Sequence, residues 1–516
     1  MSEALRRERP IFRERPIGDR SLTRIVATLG PASSSLAVID ALIRAGVSIF
    51  RLNLSHGSLE QHGKTLAAIR SVEASTGLIT AVLADLPGPK IRVGQAPVEG
   101  IDLRVGQLVR IAPGTVCVLG AEPLLACTYA GVVEDAAPGH RVLIDDGAIR
   151  LLVTDQRDGE LLCTTMTGGT VRTGKGINLP DSRVRADPIT ARDLEGAAFA
   201  ASQDIDFVGM SFVQDPVDIR RMRDVLASAS AAAGRPGPPQ IVAKIERPQA
   251  IERIGEIVLA ADAIMVARGD LGVEMDLAKV PVLQKRVLAT ARAAGKPTIV
   301  ATQMLQSMVD VPVPTRAEVS DVANAILDGC DAVMLSGETA VGKWPIVTVE
   351  TMVRIAREAE AHLSETAAPT APPERLVRER DRVAAIAHGA SRAARDLGVV
   401  RVVAWSQTGV TALLLSRYGF SVPVTAASTD LLALRRTRIL RGVEPILVET
   451  PPASFLDFIS ELERQLLDHA LVKAGDLVLL VSGERFGVGS PSAMIALREI
   501  GDLSGGSGEG QGRPEG

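Results

Sequence analysis

"IVAKIERPQAIERIGEIVLAADAIMVARGD", residues 241–270, decides how the rest of the chain is read. Two short apolar runs, IVAKIE and AIMVAR, flank a stretch with helical spacing, and neither run alternates as a strand with one wet face would. Near-continuous apolar strands joined through helices belong to a parallel sheet covered on both faces. The unit recurs in both directions: IVATL, IFRLNL, AVLADL and FVGMSF come before it, TIVAT and AVMLSG after it, most of them separated by about 10 to 20 residues of helical pattern. Eight such runs are the count of a closed (β/α)8 TIM barrel, whose working face lies at the C-terminal strand ends.

One interval breaks the rhythm. After AVLADL the next helical stretch, "TARDLEGAAFA", arrives roughly a hundred residues later, so a domain is inserted there. Segment 89–183 is rich in Gly and Val and carries the strand-like pieces QLVRIAP, HRVLIDDGAIRLLV and ELLCTTM, with DDG as a hairpin-turn signal. The expectation is a small β-barrel lid, flanked by barrel segments 22–88 and 184–360 and preceded by a loose arm at 1–21. "SETAAPTAPPER" (364–375) reads as a linker. Beyond it, 376–501 opens with a helix and then alternates VVRVVAW, VPVTAAS, EPILVE and LVLLVSG with helical segments, the pattern of a smaller doubly wound α/β domain. The Gly-rich 502–516 reads as a disordered tail.

Composition narrows the function. The 516 residues are 46% hydrophobic and 23% charged, and 57 basic against 61 acidic residues leave a formal charge of -4. With 3% aromatics and no basic run interleaved with them, a base-stacking surface is excluded and no nucleic-acid partner is expected. No stretch has the length of a membrane span, and the N-terminus has no apolar signal region. Cys117, Cys127, Cys163 and Cys330 show no CxxC spacing, which suits a reducing compartment and leads to a cytoplasmic expectation without a thiolate metal site.

The strand ends are heavily polar. They offer Thr28; Arg51, Asn53 and Ser55; Asp85; Ser211; Lys244 and Glu246; Arg268 and Asp270; Thr302; and Ser336 with Glu338. Any one of these reads equally as a cap or a rim charge, but charge at five or more of the eight ends reads as a catalytic mouth. Glu246 and Asp270 lie on adjacent strands and converge as two oxygen ligands, the sparse set that Mg²⁺, or Mn²⁺ in its place, accepts when water and phosphate complete the shell. The alternative pairs these acids with Lys244 or Arg268. Lys244 beside a metal suits charge developing on a phosphoryl group or an enolate oxygen.

"TRIVATLGPAS", "RLNLSHG", "KGINLPD", "AKIERPQAI", "MVARGDLGVE", "ATQMLQSM" and "SDVANAILDGCDAVMLSGETAVGKWP" resemble, in order, the signature blocks of the pyruvate kinase family. The resemblance covers roughly residues 22 to 500. It implies a barrel with a mobile lid and a C-terminal regulatory domain, a homotetramer, and transfer of phosphate from phosphoenolpyruvate to ADP with formation of pyruvate and ATP, the last step of glycolysis. By the same resemblance Arg51 grips the substrate phosphate, Lys244 stabilises the transferring phosphoryl group and the enolate, and Glu246 with Asp270 bind Mg²⁺. Ser211, Gly269, Asp270 and Thr302 contact substrate, and Thr302 stands near the face where the enolate is protonated, as a catalytic group or as a positioning one. Arg92 and Arg192 take nucleotide-phosphate positions, and Asn53, Ser55 and His56 line the nucleotide end, His56 reading equally as a turn residue.

The third strand departs from the potassium-dependent pattern. Asn53, Ser55 and Asp85 of the monovalent-cation region are kept, but Leu86 replaces a threonine ligand and Lys90 a glutamate. This resembles the potassium-independent branch, with Lys90 as a built-in cation; a solvated hinge lysine is the alternative. In "AWSQTGVTALLL", Ser406, Thr408, Gly409 and Thr411 sit at a strand-to-helix turn suited to a phosphate. Relatives use this loop for phosphorylated sugars, so an effector site for a phosphorylated sugar or nucleotide is expected, with "SGERFGVGSPSAM" closing over it. Two other functions compete: a catalytically silent metabolite sensor of the same fold, and a different barrel enzyme acting on an enolate. The presence of Lys244, Glu246, Asp270 and Arg51 speaks against the first, the lid and the nucleotide-side arginines against the second.

Overall fold

A computed structural model of the chain describes residues 21–366, 373–379, 381–483 and 493–501. The expected N-terminal arm up to residue 20, most of the Gly-rich loop (484–492) and the tail from 502 lie outside the described residues.

All eight apolar runs form strands: Arg24–Thr28, Val47–Asn53, Ala81–Asp85, Phe207–Met210, Gln240–Ile245, Ala263–Ala267, Thr298–Ala301 and Ala332–Leu335. Each pairs in parallel with the next, and the eighth returns to the first with Arg24 opposite Ala332 and Ala27 opposite Leu335, which closes the barrel. Because successive side chains point to opposite faces, Ile25 and Ala27 join the layer under the helices while Val26 packs with Ile49, Leu83, Val242, Met265, Ile299 and Met334 in a second core. Polar residues mark where the helices begin. Ser58 with Gln61, Thr190 with Asp193, Asp215 with Asp218 and Thr315 with Glu318 each form a reciprocal capping box, satisfying two backbone donors that the first turn leaves unpaired.

The inserted domain is a six-stranded mixed sheet in the order Ile177–Asn178, Arg141–Ile144, Ile149–Arg157, Glu160–Thr167, Leu108–Pro113, Leu124–Cys127. Its two edges meet through residues 92 and 93, Val93 bridging to Cys127 and Arg92 to Gly176, so the sheet curls into a small barrel. The DDG hairpin turn places Asp145, Asp146 and Gly147 at φ 55°, 54° and 85°, the left-handed region that Asp and Gly tolerate best.

The C-terminal domain carries five strands in the order Val443–Leu447, Val424–Ser428, Arg401–Trp405, Leu477–Gly483, Ala493–Glu499. The four expected strands are parallel. The fifth is an addition, running antiparallel along one edge with Leu477 opposite Glu499 and Gly483 opposite Ala493. Buried ion pairs join this domain to the base of the barrel: Arg417 with Asp331, and Arg435 with Glu73. Among the described residues no helix is long and apolar enough to cross a membrane.

Candidate active site

Five strand ends deliver one connected charge network at the C-terminal mouth of the barrel. Arg51 directs Nε and Nη2 at Asp85 Oδ2, both at 2.7 Å, and donates from Nη1 to Thr28 Oγ1 at 3.1 Å. Asp85 is 1% exposed. Its Oδ1 lies 3.2 Å from Lys244 Nζ without a hydrogen-bond partner, so that contact is one of charge and not of an aligned bond. Lys244 Nζ lies 2.9 Å from Glu246 Oε1 and donates to Ser211 Oγ at 2.7 Å, and Ser211 in turn donates to the Leu86 carbonyl at 2.7 Å.

Glu246 Oε2 accepts the backbone N–H of Phe212 at 2.7 Å. Phe212 has φ 54°, an uncommon conformation for a bulky residue. Arg247 lies over its ring, 5.0 Å from the centroid. Gly88 leaves room beside the ring, where a Cβ would stand 2.7 Å from a Phe212 ring carbon. Sequence reasoning missed Phe212 and Arg247. Arg247, the third charge in "KIER", was a visible signal; the Phe212 N–H had none.

The groups set one another's charge. Burial works to raise the Asp85 carboxyl, but Lys244 and Arg51 outweigh it and hold it below the usual carboxylate value. Burial would depress the Lys244 ammonium, yet Asp85, Glu246 and Asp270 raise it well above its usual value, so it stays charged. Glu246 is pushed up, by burial first and by Asp270 next, against the pull of Lys244.

Asp270 sits in the first turn of the short helix Arg268–Glu274 and accepts no hydrogen bond among the described residues. It acts electrostatically on both the Lys244 ammonium and the Glu246 carboxyl, so the three charges share one neighbourhood. Two carboxylates with no His or Cys beside them, and no larger cluster of such groups among the described residues, suit a hard cation that keeps water and substrate oxygens in its shell.

The seventh strand ends in Thr302 and Gln303 at φ 71° and 53°. Thr302 Oγ1 accepts the Gly269 N–H at 2.7 Å and donates to the Ala301 carbonyl at 2.6 Å. Its hydroxyl proton is therefore directed at the backbone, and it fixes the Gly269 turn. Arg268 braces this turn by donating to Asp321 at 2.6 Å and to the Thr302 carbonyl at 2.8 Å. Glu338 braces the next one, accepting from the Ser336 N–H at 2.7 Å and the Leu305 N–H at 3.1 Å.

The remaining sequence candidates are more dispersed. Asn53 Oδ1 accepts the Ser55 N–H at 3.2 Å, and the exposed Arg192 donates to the Leu54 carbonyl at 3.0 Å. His56 is exposed, with its carbonyl 2.8 Å from His62 Nε2. Arg92 belongs to the inserted domain, where it donates to the Gly174 carbonyl at 2.7 Å. Lys90 is exposed where the chain leaves the barrel and forms no ion pair among the described residues. In the C-terminal turn Ser406 is buried and its Oγ accepts the Ala412 N–H at 3.1 Å; Gly409 has φ 83°, while Thr408 is exposed and Thr411 half-buried.

Two family profiles match the chain: "Pyruvate kinase, barrel domain" over residues 20–349 and "Pyruvate kinase, alpha/beta domain" over residues 384–495. A pyruvate kinase of Mycobacterium tuberculosis is 40% identical over 484 residues, which are 93% of this chain and 98% of that protein. One from Geobacillus stearothermophilus is 37% identical over 490 residues, 93% of this chain and 81% of that protein. The crystal structure of a pyruvate kinase from Cryptosporidium parvum superposes with a TM-score of 0.83 at 32% identity, covering 93% of this chain and 96% of that one.

Proposed function

Because this chain belongs to the pyruvate kinase family, we propose that its barrel mouth transfers the phosphoryl group of phosphoenolpyruvate to ADP, giving pyruvate and ATP. The carrying observation is the unbroken line Thr28, Arg51, Asp85, Lys244, Glu246, in which two cations are held in place by two buried carboxylates. Arg51 is fixed by Asp85 and Thr28, so its remaining N–H groups are oriented in advance to hold the substrate phosphate. Lys244 stays charged and places its ammonium where negative charge develops on the phosphoryl oxygens and on the departing enolate. The phosphoryl group leaves the enol oxygen for a terminal oxygen of ADP, and the enolate carbon takes up a proton. Thr302 and Gly269 shape the face on which that proton arrives. Ser211 orients Lys244 within contact range of substrate.

Glu246 and Asp270 would hold Mg²⁺, or Mn²⁺, which when bound supplies charge neutralisation of the phosphate oxygens. Arg92, Arg192, Asn53, Ser55 and His56 would receive the nucleotide as the inserted domain closes. Potassium independence belongs to the same proposal. It is supported by Leu86, whose side chain offers no oxygen ligand, and by Lys90, whose ammonium has no ion-pair partner at the hinge among the described residues. Thr408 and Thr411, on the turn capped through Ser406 and Gly409, would take a phosphorylated effector, and the enzyme would act as a cytoplasmic homotetramer.

The test is pyruvate formation from phosphoenolpyruvate and ADP with Mg²⁺, in potassium-free buffer and again with K⁺. Full activity in both supports the assignment and the Lys90 reading. Activity only with K⁺ rejects Lys90 as the internal cation, and none in either buffer rejects the activity in favour of the silent sensor.

A further inference from the structure

Glu274 is a buried carboxylate with no part in the phosphoryl transfer proposed for the mouth. It closes the short helix Arg268–Glu274, whose first turn carries Asp270, and is 5% exposed. Its one side-chain hydrogen bond among the described residues comes from outside the barrel: Asn178 Nδ2 of the inserted domain donates to Glu274 Oε1 at 2.8 Å. Asn178 lies on the edge strand Ile177–Asn178, with Leu143 opposite it. Two residues beyond Glu274, the exposed Asp276 acts electrostatically on Arg141, at the start of that neighbouring strand. The inserted domain thus meets residues 274–276 through a hydrogen-bonded amide and, at the rim, a charge attraction.

One hydrogen bond does not offset the burial of a carboxylate, which needs a countercharge as well. Burial pushes the Glu274 carboxyl up; Arg247 pulls against it most and Asn178 next, while Glu246 and Asp181 add to the push. Arg247 is itself 5% exposed and donates no side-chain hydrogen bond among the described residues, its Nε being buried without a partner. Its guanidinium is held by the field of Glu274 and by the face of the Phe212 ring, 5.0 Å from the centroid. Phe212, at φ 54°, is the residue whose N–H meets Glu246 Oε2 at 2.7 Å. A line of interactions therefore runs from Asn178 through Glu274, Arg247 and Phe212 to Glu246.

We propose that Glu274 is a positioning residue that makes the seating of the inserted domain part of the metal site. Through Asn178 it fixes the inserted domain to the helix of Asp270, and through Arg247 it steadies Phe212, so that the N–H on Glu246 keeps its place. The inference rests on the reading of Glu246 and Asp270 as the Mg²⁺ ligands. Partners that orient metal ligands typically govern affinity by about 10- to 100-fold.

Mn²⁺ binding to the full chain without substrates, followed by the electron paramagnetic resonance signal of the free ion, tests this without turnover. Charge alone gives a different pattern from positioning. Asn178→Ala alters no charge and would leave the affinity unchanged, and Arg247→Met removes a positive charge near the ion and would tighten binding. Positioning weakens both: about threefold in Asn178→Ala, the loss of one hydrogen bond, and about tenfold in Arg247→Met. The double variant should lose less than the product of the two, because both act along one line; the full product would make the effects independent and overturn the connection through Glu274. If Arg247→Met does not fold, Asn178→Ala, a half-buried position on an edge strand, decides alone. Parental Mn²⁺ affinity in Asn178→Ala, or tighter binding in Arg247→Met, overturns the inference while leaving the proposed activity intact. A parent that binds Mn²⁺ without forming pyruvate, with both variants weakened, overturns the activity and leaves the inference standing; a parent that binds no Mn²⁺ overturns the metal site and the inference together.

Discussion

Lys244→Met removes the cation that contacts both buried Asp85 and buried Glu246 while keeping a side chain of similar length and apolar stem. Three contacts go: Asp85 Oδ1 at 3.2 Å, Glu246 Oε1 at 2.9 Å and Ser211 Oγ at 2.7 Å. The structural and catalytic costs differ in size. Asp85 keeps Arg51 on its other oxygen at 2.7 Å, so it remains paired. Among the described residues Glu246 keeps only the Phe212 N–H, and an uncompensated buried carboxylate costs about 3–5 kcal/mol. Burial already pushes the Glu246 carboxyl up, so it can take a proton, which limits the loss of stability to about 1–3 kcal/mol. The catalytic loss has no such relief, because among the described residues no other side chain places a positive charge between Asp85 and Glu246. Removing one preorganised electrostatic group lowers kcat by about 10²- to 10³-fold. Pyruvate release should be followed by a coupled assay at saturating substrates and Mg²⁺, beside a thermal melt of the same preparation. A kcat within about threefold of the parent in a folded variant would remove Lys244 from the chemistry.

Gly88→Ala asks whether the strained Phe212 holds Glu246. Gly88 has φ +66°, and a Cβ would lie 2.7 Å from the Phe212 ring and 3.0 Å from Ser211 Cβ, so Phe212 must shift; the Mg²⁺ concentration for half-maximal rate should rise several-fold, and an unchanged Mg²⁺ profile would show that the Phe212 N–H does not position Glu246. Arg435→Met cuts the domain junction, where Arg435 reaches Glu73 at 3.0 and 2.6 Å and also contacts Asp204. Arg70 still lies 3.2 Å from Glu73, so the cost should fall near the lower end of the roughly 3–5 kcal/mol of a broken buried pair; a denaturant midpoint equal to the parent's refutes it. Asp204→Asn tests the pH dependence: burial works to raise the Asp204 carboxyl, but Arg435, Arg70 and Arg235 hold it below its usual value. Its stabilisation is then present above the ordinary carboxylate pKa and is lost as pH falls through the depressed one. The melting-temperature gap between parent and variant should narrow below about pH 4, and a gap independent of pH would exclude the mechanism.

The eight runs and the insertion could be read in the sequence because burial on both faces leaves few residue types to choose from, and because a residue's position along its strand sets its height in the barrel. Height is what places Lys244, Glu246, Asp270 and Thr302 at the mouth. Sideways position is another matter. Asp85 reads as a ligand of a monovalent-cation region, yet it stands between Arg51 and Lys244, and those pairings depend on the registers that put Asn53 opposite Asp85 and Lys244 opposite Met265. Arg268 and Glu338 share the height and charge of the reacting groups but turn back onto backbone atoms of the neighbouring loop. A side chain's type cannot reveal whether its charge faces a ligand or a carbonyl. The fifth C-terminal strand was hidden for a local reason: it folds back antiparallel on the strand directly before it, with Gly483 opposite Ala493, but its sequence AMIALRE has little of the β-branched content that marks a strand. The domain junction was hidden most completely, since Arg435 and Glu73 are 362 residues apart and Arg417 and Asp331 are 86 apart. Such pairs have no period to read. An arginine that looks solvated in the sequence becomes, at a junction, the partner of a buried acid, as Arg417 is of Asp331, and only the packing of the two domains brings the two together.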